Sequence, residues 1–283
     1  MKYRETKHRD MREKHREHRE KTRANESFHD RVAPRYDQVY TGAYWDFYRE
    51  VSWGHVKKFL PSDLSFPMLD LGCGTGEYGL RLAKSGYRVT LVDLSRKMLD
   101  QARQRAEQLQ IAGRCTFVKA NLEDLGALPE AGFSFAVAQG DPLSCCVKYT
   151  SAVTEIWRVL RPGAIAVISV DHKWGGIRHF FEKNLEGLEE FARSGRTEWL
   201  TEREEERFPL KMFDPDELRS LFEKQGFAVL DLIGKLVLPI KEYANLLEDR
   251  QLFDRLLTLE RKLHRTASML SSASHLQISV RKD

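Results

Sequence analysis

Residues 68–83 read MLDLGCGTGEYGLRLA, and the fold turns on how their glycines are parsed. A short apolar run, a turn of small residues and apolar residues at helical spacing predict strand, turn and helix. Glycines in such a turn let the backbone approach a ligand that a side chain would block. Gly74, Gly76 and Gly79 fit G-x-G-x-x-G, the fingerprint that seats a dinucleotide pyrophosphate on a helix N-terminus. Asp70, Gly72, Gly74 and Gly76 fit D-x-G-x-G-x-G, which serves a different nucleotide. Three features favour the second parsing. The glycines begin directly after the strand, at Gly72. Asp70 stands inside the strand, where a pyrophosphate would avoid a negative charge and a cationic ammonium or sulfonium would tolerate it. The C-terminal half also lacks the βα units of a second mononucleotide half. Asp93, ending the next strand, is placed to grip ribose hydroxyls under either parsing.

Working outward, strand and helix alternate. Residues 87–93, 115–120, 133–139 and 164–170 read as further strands, the last a continuous apolar run expected of a strand covered on both faces. Ser95 caps a helix whose face is Met98, Ala102, Ala106 and Leu109. Val153, Ile156, Trp157 and Leu160 form another helical stripe, which stops at Arg161-Pro162-Gly163. Five strands alternating with helices predict an α/β fold with a doubly wound, mostly parallel sheet. After the fifth strand the rhythm breaks. Residues 172–211 read as an insertion or lid, with Ile177, Phe180, Phe181, Leu185 and Leu188 on one helix face. The rhythm resumes with a helix started at Asp214-Pro215, a sixth strand over 228–234, a long helical stretch near 240–270, and a seventh strand over 275–282.

Length and composition set the outer bounds. The 283 residues suffice for one large domain with a modest insertion, and 41% are hydrophobic. No apolar run approaches a membrane span, and charge fills the N-terminus where a signal peptide needs an apolar core, so a cytoplasmic protein is expected. Cys73, Cys115, Cys145 and Cys146 make no C-x-x-C pair or disulfide framework. The adjacent Cys145 and Cys146 read as small residues entering a helix, with a soft-metal or metalloid site as the alternative. Of the formal charge of +4, residues 1–24 supply +5, from ten Lys and Arg against five acids, leaving the remainder at −1. That stretch lacks an apolar stripe and reads as a solvated arm, although its bases could dock nucleic acid and His8, His15 and His18 could bind metal. The expected organisation is a charged arm over 1–24, an aromatic-rich helical cap over 25–60, a core over 61–171 and 212–283, and the insertion over 172–211.

The segments LDLGCGTGEYG, LVDLS and EIWRVLRPGAIAVIS, followed by FDPDELRSLFEKQGF and HLQISVRK, resemble the successive motifs of the class I S-adenosylmethionine-dependent methyltransferases. The resemblance covers roughly residues 27–171 and 207–283. It implies a seven-stranded sheet whose last strand runs antiparallel to the rest, and S-adenosyl-L-methionine as cofactor. By the same resemblance, Gly72, Gly74 and Gly76 pass beneath the methionine part. Asp70 orients that loop and faces the ammonium through water, while Asp93 accepts from both ribose hydroxyls. Leu94 and Met98 lie against adenine. Asn121 stands where many relatives carry Asp, so its amide, or the Leu122 backbone, would meet the adenine amino group. Gln139 offers its carbonyl to the methionine end, and Tyr36, in APRYD, closes over the cofactor.

Methyl transfer from a sulfonium is an in-line displacement that mainly needs alignment and exclusion of water. A base helps only when the nucleophile carries a proton. His172, directly after the fifth strand, is the candidate base; a bond to nearby backbone explains it equally well. Asp141 shares that rim, either as a functional carboxylate or as a helix cap. Gly140 replaces the first proline of the Asn-Pro-Pro-aromatic motif of amino-group methyltransferases, which argues against base N-methylation. Tyr36, Tyr40, Tyr44 and Trp45, with residues 174–191 of the insertion, would enclose an apolar or aromatic small-molecule acceptor. The alternatives are an RNA or protein methyltransferase docking through the basic arm, and an inactive cofactor-binding partner subunit. Membrane association is not expected, and the sequence does not address oligomeric state.

Overall fold

A computed structural model of the chain describes residues 2–183, 185–199 and 201–283; side chains at 2–11, 179, 182 and 183 lie outside what it describes, and with them His8 of the histidines noted above. Nine strands form among the described residues: β1 (Met68–Leu71), β2 (Val89–Asp93), β3 (Cys115–Lys119), β4 (Phe133–Ala138), β5 (Leu160–Asp171), β6 (Arg196–Trp199), β7 (Phe208–Lys211), β8 (Phe227–Lys235) and β9 (His275–Lys282). Seven build one sheet in the order β3-β2-β1-β4-β5-β9-β8. Neighbours from β3 through β5 pair parallel, and β9 pairs antiparallel with both β5 and β8. The expected doubly wound sheet is therefore present, with its reversed strand second from the edge.

Alternation along the strands divides the core in two. Leu69, Leu71, Ala166 and Ile168 face one layer of helices, while Met68, Leu91, Val137 and Val167 face the other. With both faces covered, polar residues in these strands need partners. The helix starts follow the local chemistry: Ser95 Oγ accepts the Met98 N–H at 3.1 Å, and Asp214 Oδ1 accepts that of Glu217 at 2.8 Å, with Pro215 in the first turn.

Three segments differ from expectation. One helix, Lys2–Val32, runs through the boundary placed at residues 24 and 25, so arm and cap share a single element. Ion pairs such as Lys21 with Glu17 support it on the solvent side. Tertiary ties hold its other side: His18 Nε2 lies 2.9 Å from Glu123 Oε2, Asn25 donates to the Cys145 carbonyl at 3.3 Å, and Arg31 grips Glu206 with both oxygens within 2.9 Å. In the insertion, the expected single helix becomes two, Lys173–Lys183 and Leu188–Ser194, with Gly187 at φ +79° before the second. Phe181 and Leu185 are consequently exposed. The insertion also holds β6 and β7, an antiparallel pair that the charged sequence concealed. Finally, the helical stretch near 240–270 is broken into a short 3-10 turn, Ala244–Glu248, and two helices, Arg250–Leu263 and Ala267–Leu270.

Candidate active site

A cavity of about 770 Å³ opens at the carboxyl ends of the parallel strands, the edge where open α/β sheets bind ligands. Its floor begins at the glycine loop. Gly72, Gly74 and Gly76 all have positive φ, at +63°, +53° and +90°, so each glycine of the D-x-G-x-G-x-G parsing adopts backbone that other residues rarely take. A Cβ at Gly72 would stand 2.4 Å from that of Pro142, whereas one at Gly74 would meet nothing within 4 Å. Gly74 thus leaves open space above the loop. Gly79, which the dinucleotide parsing required, lies in the helix Glu77–Lys84, where its missing side chain admits the Asp70 carboxylate.

Asp70 Oδ2 accepts the Gly79 N–H at 2.7 Å. Burial pushes this carboxyl up to about 7 against that bond. Neither Asp70 nor Gly76 lines the cavity, and Asp70 ties the loop's strand to the following helix from behind. Asp93 does line it. Its two oxygens accept from the Gly74 and Ser95 N–H groups, each at 2.8 Å, and burial raises its pKa. Leu94, Met98, Asn121 and Leu122 continue the wall, with Asn121 Oδ1 accepting the Glu123 N–H at 3.1 Å. Tyr36, Tyr40 and Trp45 close one side, their rings in consecutive contact at 4.7 and 4.8 Å between centroids. Gln139 donates to the Val167 carbonyl at 3.1 Å, and its Oε1 is buried with no partner.

At the far end of the cavity stand Asp141, Asp171, His275 and Tyr48. His275 Nδ1 lies 2.8 Å from Asp141 Oδ2 and 3.5 Å from Asp171 Oδ1. Behind them the fully buried Lys235 donates to the Tyr48 hydroxyl at 2.6 Å and sits 3.8 Å from Asp141 Oδ1. Burial pulls the His275 pKa down, but Asp141 and Asp171 outweigh it and raise it to about 9. Burial lowers Lys235 to about 8 against the same two carboxylates. Burial would raise Asp141, yet Lys235 and His275 together hold it well below the usual range. The ligand atoms of Asp141, Asp171 and His275 lie within 4.8 Å of one another, close enough for a metal ion. Imidazolium and ammonium already supply the two balancing charges there.

His172, expected as the base, lies outside the cavity. It is fully buried, with Nδ1 2.7 Å from the Ala273 carbonyl and its backbone bridged to Phe213, so it pins the start of the insertion. Tyr44 also leaves the wall and packs in a cluster around Phe47 and Phe253. The insertion contributes Trp199, Phe208 and Leu210, from β6 and β7, in place of residues 174–191; Trp174 is exposed and Phe191 is packed inside the insertion. From the N-terminal helix come Thr22, in the arm expected to be solvated, and Asn25, Phe28 and His29 of the expected cap. Cys145 lines the cavity, but burial, with Asp171 and Cys146, raises its thiol pKa well above the ordinary value.

Sequence reasoning missed His275, although its signal was present. A strand that runs against the others begins where they end, so the first residue of β9 falls on the ligand edge.

A family model described as a methyltransferase domain matches residues 68–163. The ubiquinone/menaquinone biosynthesis C-methyltransferase of Rhodopseudomonas palustris is 31% identical over 151 residues, covering 50% of this chain and 57% of that protein. The chain thus spans a little over half the length of that relative. A tRNA 5-carboxymethoxyuridine methyltransferase of Escherichia coli is 23% identical over 217 residues, 76% of this chain and 79% of the relative. In three dimensions, an S-adenosylmethionine-dependent methyltransferase structure from Methanosarcina mazei superposes with a TM-score of 0.58 at 20% identity, over 81% of this chain and 96% of the other. One from Listeria monocytogenes gives 0.60 at 18%, over 83% and 99%. At these identities the likeness is one of fold.

Proposed function

From the match of residues 68–163 to a family model described as a methyltransferase domain, we propose that the chain is a class I S-adenosylmethionine-dependent methyltransferase that transfers the methyl group to a small-molecule acceptor. One observation carries the reading: a single cavity joins the open glycine loop and Asp93 at one end to a cluster of protic side chains at the other. The residues suit the cofactor. Gly74 leaves room for a ligand against the backbone, and the unpartnered Gln139 Oε1 can accept from an ammonium. Bound, the cofactor supplies an electrophilic methyl on a sulfonium with an excellent leaving group.

The remaining work falls to the chain. Asp93 accepts from the ribose hydroxyls while the Gly74 and Ser95 N–H groups hold its carboxylate in place. Leu94 and Met98 pack against adenine, and Asn121 and Leu122 meet its edge. Tyr36 closes over the cofactor. Tyr40, Trp45, Phe28, Trp199 and Phe208 surround the acceptor and exclude water, which sharpens alignment and protects the electrophile.

Calorimetric titration of S-adenosylmethionine and NADH into wild type and Asp93→Ala tests this. Binding of the sulfonium alone, lost in the variant, is expected; binding of NADH instead would overturn the reading. A screen of acceptors for S-adenosylhomocysteine release then separates an enzyme from an inactive cofactor-binding partner.

The tRNA-directed relative and the basic residues 1–24 favour RNA methylation as a second reading. It expects RNA affinity that falls steeply with salt. The small-molecule reading is preferred because the guanidiniums lining the cavity already have acidic partners: Arg49 with Asp46, Arg81 with Glu77, and Arg105 with Asp37.

A further inference from the structure

We infer that His275, oriented by Asp141 and Asp171, takes the proton of an oxygen nucleophile, and that the acceptor is a phenol-type hydroxyl compound methylated on oxygen. The inference rests on the methyltransferase reading above. Position is the first argument. His275 opens β9 on the ligand edge, lines the cavity, and holds Nδ1 in ion-pair contact with two carboxylates, at 2.8 and 3.5 Å. Such a pairing fixes the orientation of an imidazole and leaves its other nitrogen for the ligand. The imidazole is 20% exposed while Nδ1 is buried, so solvent reaches it on the side away from the carboxylates.

The second argument is the effort spent on holding it. Asp141 sits at φ +64°, left-handed backbone that few residues other than glycine, asparagine and aspartate adopt. Its N–H donates to Ser169 Oγ at 3.1 Å, and the Asp171 N–H donates to Ser144 Oγ at 2.9 Å. Tyr48, from the helix Ala43–Val56, lies edge-on to His275 with ring centroids 5.2 Å apart, and Lys235 from β8 stands behind. Asp141, Asp171, Lys235 and Tyr48 are the charged and titratable groups that face the imidazole. With His275 in its proton-accepting form, Asp141 and Asp171 face the single ammonium of Lys235, so the cluster disfavours an anionic ligand. A neutral hydroxyl compound suits it.

The third argument is the wall. Aromatic rings at Tyr40, Trp45 and Tyr48 offer a flat acceptor a surface, while every arginine lining the cavity is paired with an acid and leaves a carboxylate or phosphate acceptor without a partner. In the transfer, the oxygen–hydrogen electron pair stays on oxygen as its proton goes to His275. An oxygen–carbon bond forms at the methyl, and the carbon–sulfur bond breaks with its pair going to sulfur. The proton then leaves to water, and no oxidant or reductant is needed. Because the imidazole is raised to about 9, its proton-accepting form grows as pH rises toward that value.

Para-nitrophenol titrated into the full chain saturated with S-adenosylhomocysteine tests this without knowledge of the natural acceptor. Phenolate absorbance is followed against pH. The bound probe should ionise about tenfold more readily than the free one, a midpoint shift of about one pH unit. In His275→Gln that shift should vanish, and in Asp171→Asn it should shrink, with calorimetric S-adenosylhomocysteine affinity retained in both as the check on folding. Absence of probe binding, unchanged ionisation, or a shift that survives His275→Gln would overturn the assignment. Failure of wild type to bind S-adenosylhomocysteine is read separately and would remove the cofactor reading instead.

Discussion

Gly72 and Gly74 stand two residues apart and do different work. At Gly72 a methyl group would collide with Pro142 at 2.4 Å and occupy left-handed backbone, so Gly72→Ala should cost about 3 kcal/mol. At Gly74 the space is empty, so Gly74→Ala should cost only the backbone strain of about 1–2 kcal/mol while obstructing the ligand. Urea unfolding of both variants, beside S-adenosylmethionine titrations, checks this: the first should lose mainly stability and the second mainly affinity. The pairing of His275 carries a pH signature as well. Its pKa of about 9 in the folded chain lies above the ordinary 6.5, so its stabilisation is complete below pH 6.5 and is lost as pH rises through 9. Lys235, lowered to about 8 from 10.5, adds stability only above pH 8. Between pH 6.5 and 8 the His275 effect acts unopposed, and the urea midpoint should fall across that window in wild type and less so in His275→Gln.

At the scale of elements, the N-terminal helix is the largest surprise. Its first 24 residues show interleaved charge, and several of its ties are polar: Asn25, Arg31 and His18 reach across to Cys145, Glu206 and Glu123, while Ala24 and Phe28 near its end pack with Phe208 and Leu210. Nothing in periodicity announces a face of that kind. The core strands were legible for the opposite reason, since continuous apolar runs such as residues 164–170 can only be covered on both sides. The hairpin β6–β7 escaped notice because the acidic connection between its strands conceals a hydrophobic patch on Phe208 and Leu210. Arg31→Ala should cost about 2–3 kcal/mol by leaving Glu206, 2% exposed, with only Arg203 at 3.8 Å. The same change unties the helix from the insertion, so cofactor affinity should fall with it. Thermal unfolding and calorimetry on this one variant read both.

For the molecule as a whole, the site is assembled from almost every part of the chain, from Phe28 on the N-terminal helix to His275 on the last strand. A ligand filling such a cavity stabilises many segments together. At a hundredfold excess over its dissociation constant, S-adenosylmethionine should add about 2.7 kcal/mol and raise the melting temperature by roughly 5–10 °C. NADH at the same concentration should leave it unchanged in differential scanning fluorimetry. The glycine-loop end of this cavity was readable because a loop with three positive-φ glycines tolerates few substitutes. The end around Asp141 was not, because Asp141, Asp171, Lys235 and His275 lie on four segments with no common spacing, and only the sheet order brings them together.

That order also sets a schedule. In the sheet β5 and β8 never touch; β9 lies between them and pairs with both. Synthesis runs from the N-terminus, so β5 and β8 emerge long before the strand that joins them, and His275 is the last residue of the site to leave the ribosome. Until residues 275–282 are threaded into place, two strand edges stand open and Asp141 lacks its imidazole. A nascent chain can assemble the glycine loop early, but the cluster around Asp141 must wait for β9.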